Sequence, residues 1–251
     1  MSLEACAALV RAGDGDRFLA AMAAPVAARA RLLPLYAFNL EIARAPWVSP
    51  EPMIGEMRLQ FWRETLAAIE SGGPVPGHEV AGPLAEVVRG AGLPVGLLDD
   101  MVIARWSDLA RAPFADVAAL EAYLDASAGA LMWASALALG AGAGLEAPAR
   151  AVGRAMGLAN WLLAVPALEA RGWPARPAGL DGLIARARAE LRAARQADFG
   201  PAVPALRAGW RAGGVLARAA RRPEAIAAGE LAESEFRRRG GLLLRALTRR
   251  W

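Results

Sequence analysis

The sequence predicts an all-α fold, and three observations lead to that prediction. The chain is rich in alanine, leucine and arginine, which favour helix, and β-branched residues are sparse. Its 26 glycines and 17 prolines fall mostly between periodic stretches. No segment alternates apolar and polar residues as a half-buried strand does. Since 56% of the 251 residues are hydrophobic, a sizeable core can form, and we expect one domain over residues 1–251 with about ten helices.

Capping residues and prolines mark the first helices. Asp14 can cap a short helix that ends at Met22, and Pro25 opens a longer helix that ends near Ala45. Pro34 predicts a kink in the longer helix, because proline lacks the amide hydrogen and crowds the preceding turn.

The next helix opens at Pro50 or Pro52 and ends before a glycine- and proline-rich loop over 71–77. Three- and four-residue spacing predicts that one face of this helix is buried. That face comprises Ile54, Met57, Phe61, Thr65 and Ile69. Later helices are expected at about 78–90, 95–110, 116–140, 147–171, 179–196, 203–221 and 229–249.

Charge is distributed unevenly along the chain. All 29 basic residues are arginines; residues 1–170 hold 12 of them with 18 acids, whereas residues 171–251 hold 17 with 7 acids. A basic C-terminal part is typical of contact with an anionic membrane or an acidic partner, and also of solvated helix faces. Nucleic-acid binding is not expected, because no recognised module or aromatic interleaving accompanies the arginines.

The basic C-terminal helix, predicted over 229–251, has two possible positions. Leu242, Leu243 and Leu247 can dock it on the domain, or its arginines and leucines can lie at a lipid interface. Gly240-Gly241 interrupts the amphipathic pattern, which favours docking. The uncharged stretch 126–145 is built from small residues, which favours a buried helix over a membrane span. We expect a cytoplasmic protein, with a peripheral position at the inner membrane as the alternative.

The composition excludes several kinds of catalytic site. One histidine and one cysteine cannot build a zinc site or a disulfide, and the lack of lysine excludes a Schiff base and a phosphate-loop lysine. His78 follows the glycine- and proline-rich loop and is interpreted as a structural histidine. Asp100 and Asp108, about two turns apart on one helix, are weak candidates for a metal pair. A solvated or arginine-paired face is the default interpretation of these acids.

Several short motifs, in this order, resemble the landmarks of the squalene/phytoene synthase family. They are Leu35-Tyr36-Ala37-Phe38, Arg58-Leu59-Gln60-Phe61-Trp62-Arg63, His78-Glu79-Val80-Ala81, Asp108-Leu109, and Leu120-x-x-Tyr123 leading to Ala128-Gly129. The resemblance runs from about Asp16 to Pro177. It implies the isoprenoid-synthase fold and a central substrate cavity.

The resemblance also implies where the magnesium-binding aspartates of a synthase would lie. The first Asp-x-x-x-Asp motif begins seven residues after the tyrosine of the Tyr-Ala-Phe signature, and those positions hold Ala43 and Trp47. The second motif follows a Gly-x-Ala landmark, here residues 157–159, after which no acid occurs before Glu169. Without carboxylates to hold Mg²⁺, the departure of a diphosphate group stays unassisted.

The sequence is similar to a non-synthase branch of this family that is associated with the assembly of mitochondrial respiratory complex I. Ala37-Phe38-Asn39-x-Glu41, residues 57–62 and Leu162-Leu163-Ala164-Val165-Pro166 carry this similarity. The cavity-lining candidates are Tyr36, Asn39, Glu41, Ala43, Arg58, Trp62, Tyr123 and Trp161. Two alternatives stay open for Arg58, which either lines the cavity or pairs with Glu41. If Asn39 and Glu41 both point inward, a polar network with Arg58 is expected.

Two functions are therefore considered. The first is a non-catalytic family member without cofactors or a metal, which binds a protein partner during the assembly of a membrane complex. An isoprenoid or lipid ligand and an anionic membrane surface are further possible partners. The alternative is a prenyl transferase that uses Mg²⁺ to condense isoprenoid diphosphates.

Overall fold

A computed structural model describes residues 2–248 and 250–251, and the described residues form helices and connecting turns without strands. The all-α prediction is confirmed. The helices are α1 Leu3–Gly13, α2 Gly15–Met22, α3 Val26–Arg44, α4 Pro52–Glu70, α5 Ala81–Ala91, α6 Val95–Ala110, α7 Val117–Leu124, α8 Ala130–Ala138, α9 Glu146–Glu169, α10 Leu180–Ala194, α11 Val203–Leu206, α12 Ala212–Arg221, α13 Glu224–Ala228 and α14 Glu235–Leu247.

The first helices begin where the capping signals place them. The Asp14 carboxylate accepts a hydrogen bond from the amide of Arg17 at 2.9 Å and so caps α2. Pro25 precedes α3, and Pro34 lies buried inside that helix, which continues on both sides of it. A 3₁₀ turn, Ala45–Trp47, follows α3 directly.

The predicted buried face of α4 is wrong in its first half. Met57 is 66% exposed and Ile54 is also exposed, whereas Gly55, Leu59 and Trp62 face the core. A Cβ atom at Gly55 would lie 3.1 Å from the carbonyl oxygen of Ala45. A Cβ atom there would also lie 2.4 Å from the Leu109 side chain, so glycine lets α4 pack closely on this side, while Met53 and Met57 are exposed.

Helix α9 is the central core helix and packs against α8, α10 and α12. It also crosses a π-helical turn, Asp125–Gly129, which joins α7 to α8. A Cβ atom at Gly153 would lie 2.4 Å from the carbonyl oxygen of Ala128, so glycine allows the two backbones to touch. The segment Ala143–Glu169 is long and apolar enough to cross a membrane, but more than half of its most apolar stretch is buried in the bundle.

The C-terminal region differs from the sequence prediction in three ways. The predicted helix over 203–221 is divided into α11 and α12 by a tight 3₁₀ turn and a further turn. The final helix begins at Glu235 rather than at residue 229, and it continues through Gly240-Gly241 as predicted. Leu242 is buried, whereas Leu243 and Leu247 are exposed, and the predicted docking face is wrong for those two leucines.

Candidate functional site

A cavity of about 500 Å³ lies between helices of the bundle and opens to solvent beside Gly13, Trp47 and Asn160, which are exposed. Helices α3, α6, α7 and α9 supply most of its wall, and the junction of α1 and α2 closes one side. The lining residues are Gly13, Asp14, Arg17, Asn39, Leu40, Ala43, Trp47, Arg105, Asp108, Tyr123, Leu124, Ser127, Ala128, Gly157, Asn160, Trp161, Ala164, Leu168 and Trp173. We call this space the central cavity.

Two stretches of the cavity lining lack carboxylates. Ala43 of α3 and Trp47 of the following 3₁₀ turn, four residues apart, form the first. Asn160 and Ala164 of α9, also four residues apart, form the second. Glu169, the first acid after Asn160, is salt-bridged to Arg176 with a nitrogen–oxygen distance of 2.7 Å. Neither stretch therefore offers the clustered hard oxygen ligands that Mg²⁺ requires.

The two acids that do line the central cavity are already paired with arginines. Asp14 forms a salt bridge with Arg17 at the α1–α2 junction. Asp108 accepts a hydrogen bond from the Tyr123 hydroxyl at 3.0 Å and lies 3.3 Å from the Arg105 guanidinium. Arg105 also donates to the Tyr123 hydroxyl and stacks over its ring, with the guanidinium carbon 5.4 Å from the ring centroid. Each carboxylate is thus salt-bridged to an arginine, and in Asp108 the Oδ2 atom makes both of the contacts described.

Burial governs the protonation of this polar cluster. It raises the pKa of Asp108, and attraction to Arg105 and the hydrogen bond from Tyr123 offset part of that rise. Burial also raises the pKa of the Tyr123 hydroxyl, so the phenol stays protonated. Burial alone would lower the pKa of Arg105, but the neighbouring phenol and carboxylate raise it, so the guanidinium stays charged.

Aromatic side chains close one end of the central cavity. The ring centroids of Trp47 and Trp173 are 5.8 Å apart, and Trp161 meets Trp173 edge-on at the same distance. The indole nitrogens of Trp161 and Trp173 donate to the carbonyls of Ala175 and Ala112, which fixes both rings. Trp47 therefore occupies its position as part of an anchored cluster.

Two arginine side chains that are not part of this aromatic cluster pack over the ring of Trp47. The guanidinium carbons of Arg111 and Arg171 lie 5.1 and 5.6 Å from its ring centroid. Both distances are within the range of cation–π attraction. The region around Trp47 thus carries the positive charge of two guanidinium groups.

A second pocket of about 400 Å³ lies outside the central cavity, between α3, α4 and His78. The Glu41 carboxylate lies 3.6 Å from the Arg58 guanidinium and 3.8 Å from the Nε2 atom of His78. The Nδ1 atom of His78 accepts a hydrogen bond from the Val80 amide at 3.2 Å. Phe61 and Trp62 pack on the His78 ring, with centroid distances of 5.5 and 5.1 Å. His78 thus has structural contacts, and its neighbours form the apolar floor of an open pocket.

The structure divides the residues predicted to line one cavity between three places. Asn39, Ala43, Tyr123 and Trp161 line the central cavity. Glu41, Arg58 and Trp62 line the second pocket. Tyr36 lines neither pocket; it is 2% exposed, and burial raises its pKa to about 12.

The predicted polar network of Asn39, Glu41 and Arg58 does not form. Only Glu41 and Arg58 come together, at the distance given above, while Asn39 faces the central cavity. The reason is helical geometry, since two residues along a helix are separated by about 200° and point to different sides.

The weak metal candidates are not brought together. Asp100 is exposed on α6, whereas Asp108 is 4% exposed and paired with Arg105. Eight residues along a helix leave a rotation of about 80°, which separates the two side chains. Within residues 2–248 and 250–251, no group of three or more histidine, cysteine, aspartate or glutamate side chains is placed to hold a metal ion.

The sequence prediction missed Arg105 and Trp173, which line the site, and Phe114, which packs on Tyr123 and Trp161 behind it. Arg105 lies one turn before Asp108, and this spacing could have indicated the pair. Phe114 and Trp173 lie outside the described helices, and no periodicity marks them. Their position beside Trp161 arises only from the tertiary fold.

Comparison with known proteins gives a consistent picture of the fold. The sequence profile of the squalene/phytoene synthase family matches residues 10–237. A dehydrosqualene synthase crystallised with a ligand superposes with a TM-score of 0.69 at 16% identity, covering 98% of this chain and 95% of that one. A squalene synthase from Alicyclobacillus acidocaldarius superposes with a TM-score of 0.61 at 17% identity, over 98% and 93% of the two chains. The predicted isoprenoid-synthase-like fold is confirmed.

Curated relatives of higher sequence identity belong to the non-synthase branch. The complex I assembly factor 6 of Bos taurus is 30% identical over 162 residues, which are 64% of this chain and 48% of that protein. The Homo sapiens protein of the same name is 29% identical over the same shares. The matched part of the chain spans about half the length of these relatives. The predicted resemblance to both the family and this branch is confirmed.

Proposed function

This chain belongs to the squalene/phytoene synthase family, and from that premise we propose that it is a non-catalytic member that assists the assembly of respiratory complex I. The composition of the central cavity carries the first half of this proposal. Ala43, Trp47, Asn160 and Ala164 line it without a carboxylate, and Asp14 and Asp108 are each salt-bridged to an arginine. These residues do not fit a Mg²⁺–diphosphate complex, which needs several unpaired carboxylates.

The second half of the proposal is supported by the relatives. The Bos taurus and Homo sapiens proteins are named as assembly factors of NADH dehydrogenase (ubiquinone) complex I. A chain that is 30% identical to the Bos taurus protein over 162 residues, and whose two cavity-lining acids are salt-bridged to arginines, fits a role in binding rather than in prenyl transfer.

A protein partner requires an exposed contact surface, and we propose that α4 provides it. Met53, Ile54 and Met57 are exposed on this helix, and half-buried Phe61 continues the same face. We call these four residues the α4 ridge. Methionine suits such a surface because its flexible thioether side chain adapts to different partners.

Grooves on both sides of the α4 ridge indicate the chemistry of the partner. The second pocket lies on one side, and a groove lined by Glu56, Glu64 and Trp106 lies on the other. Glu56 and Glu64 are exposed. We therefore propose that the ridge binds an amphipathic helix of a partner protein whose apolar face is flanked by basic residues.

An enzymatic assay tests the non-catalytic half of the proposal. The purified chain is incubated with Mg²⁺ and radiolabelled farnesyl or geranylgeranyl diphosphate, and the dehydrosqualene synthase of the same fold serves as the positive control. We expect no condensed product and no release of diphosphate. Formation of squalene-type or phytoene-type products would establish the alternative function, an active prenyl transferase, and overturn the proposal.

A gene deletion tests the assembly half. In the organism that encodes the chain, deletion should lower the amount of assembled complex I and leave carotenoid and hopanoid levels unchanged. Native gel electrophoresis with an NADH dehydrogenase stain measures the former, and chromatography of extracted lipids measures the latter. Normal complex I together with lost isoprenoids would contradict the assembly role.

A further inference from the structure

Helix α14 presents its apolar side chains to solvent. Phe236 is 87% exposed, Leu243 60%, Leu244 63% and Leu247 74%. At about 100° per residue, these four side chains fall within one stripe about 100° wide. We call Phe236, Leu243, Leu244 and Leu247 the α14 stripe. An exposed apolar stripe of this kind indicates a surface that contacts another protein or a membrane.

The opposite face of α14 is fixed to the domain. Leu242 is buried, and the indole nitrogen of Trp210 donates to the carbonyl oxygen of Arg238 at 3.2 Å. The Nε atom of Arg238 lies 2.8 Å from the carboxylate of Asp16 on α2. These contacts lie on the side away from the stripe, so α14 cannot bury its stripe by rolling onto the domain without breaking them.

Residues that follow α14 contact the domain and hold the C-terminal end of the helix. The Nε atom of Arg207 donates to the carbonyl oxygen of Arg250 at 3.0 Å. The ring of Trp251 meets Phe199 edge-on, with centroids 5.9 Å apart. The helix is thus held at both ends in an orientation that keeps the α14 stripe outward.

Basic side chains flank the α14 stripe. On the helical wheel Arg237 lies beside one edge of the stripe and Arg239 beside the other. Residues 234–251 contain six arginines and one acid, Glu235, which is salt-bridged to Arg238 and Arg239. Among the described residues, no carboxylate lies within salt-bridge distance of Arg237. The electrostatic surroundings of the stripe therefore attract anions.

We propose that α14 lies flat on an anionic lipid membrane. The α14 stripe then inserts between the acyl chains, while Arg237 and Arg239 contact headgroup phosphates on either side. A helix parallel to the surface, with aromatic and leucine side chains on one face and arginines beside them, is suited to this interface. Because the domain holds the other face of α14, binding orients the whole bundle on the membrane.

Vesicle binding of the full-length chain tests this proposal. Wild-type protein is sedimented with vesicles of phosphatidylcholine alone and with vesicles of phosphatidylcholine and phosphatidylglycerol in equal parts. We expect binding to the anionic vesicles that weakens as salt is added. Leu243→Glu should weaken that binding by about tenfold or more, because it removes an inserted side chain and adds a repelled charge.

A matched control and two contradicting results complete the experiment. Ile103→Glu introduces the same charge at an apolar residue of similar exposure on α6, and it should bind vesicles like the wild type. Circular dichroism checks that both variants are folded. Equal vesicle binding by Leu243→Glu and wild type would overturn the proposal. So would a wild-type dimer in analytical ultracentrifugation that Leu243→Glu dissociates, since the stripe would then bind a second copy. Vesicle binding involves no assembly partner, so its failure leaves the proposed function untouched.

Discussion

The carboxyl group of Asp108 is the most deeply buried acid that lines the central cavity. Its two hydrogen-bonding neighbours, Arg105 and Tyr123, are themselves held within the cluster. In a synthase-like fold an acid at this depth could serve a metal, but the Oδ2 atom of Asp108 accepts from a guanidinium and a phenol, and the guanidinium balances its charge, while Oδ1 is buried without a hydrogen-bond partner. Asp108 therefore contributes to the structure of the cavity wall.

The pH dependence of stability should reveal how Asp108 is buried. Because burial raises its pKa in the folded state, the protonated form favours folding, and this contribution is lost as pH rises through the folded-state pKa. The free energy of unfolding of the wild type, minus that of Asp108→Asn, should therefore fall as the pH rises above about 4, the pKa of an unfolded aspartate. Urea titrations at several pH values measure this difference. A rise above that pH would mean that attraction to Arg105 outweighs burial.

At the scale of single helices, the contact between α9 and the π-helical turn depends on one missing side chain. A Cβ atom at Gly153 would lie 2.4 Å from a backbone oxygen and 2.7 Å from the Cα atom of Gly129. We expect Gly153→Ala to destabilise the protein by about 1–3 kcal/mol, since backbone cannot move aside as a flexible side chain can. Thermal or urea unfolding measures the change.

Gly96→Ala is the matched control for Gly153. This glycine lies in the first turn of α6, and a Cβ atom there would meet nothing within 4 Å. Because alanine costs less conformational entropy than glycine in a helix, stability should stay the same or rise by up to about 1 kcal/mol. If both variants unfolded like the wild type, the close packing of α9 against the turn would be disproved.

Local sequence signals predict helices better than they predict which face is buried. The bounds of α6 agree with the predicted range 95–110, because Pro94 and the residues after Ala110 are strong boundary signals. The buried face of α4 is mispredicted, because hydrophobic spacing counts methionines as core and cannot recognise Gly55 as the contact residue. Amphipathicity also cannot say which side of α14 meets the domain, since Trp210 and Asp16 come from distant parts of the chain.

Only part of the candidate site could be predicted from the sequence. The positions of Ala43 and Trp47 follow from their distance to Tyr36, and both do line the central cavity. The pairing of Asp108 with Tyr123, and the packing of Trp173 on Trp47, depend on how α6, α7 and the segment after α9 meet. Such contacts join residues far apart in the chain, and no local pattern encodes them.

At the scale of the whole molecule, the cavity and the surface have opposite characters. Inside, the two acids that line the central cavity are salt-bridged to arginines, and Ala43 and Trp47 form part of its wall. Outside, the α4 ridge and the α14 stripe expose apolar side chains on different helices. A protein that works through its surface is expected to show this distribution.

A single charge introduced on the α4 ridge should weaken partner binding while leaving the stability of the fold almost unchanged. Met57 is 66% exposed, so Met57→Glu should change the free energy of unfolding by no more than about 0.5 kcal/mol. In the complex, the added carboxylate would lie in a desolvated contact beside Glu56 and Glu64, and it should therefore weaken partner binding. The variant should fail to restore complex I in the deletion strain.

Val26→Glu, at an exposed apolar residue of α3, is the control and should restore complex I fully. Equal restoration by both variants would show that the partner binds elsewhere, whereas failure of both would show that complementation responds to added charge rather than to the ridge.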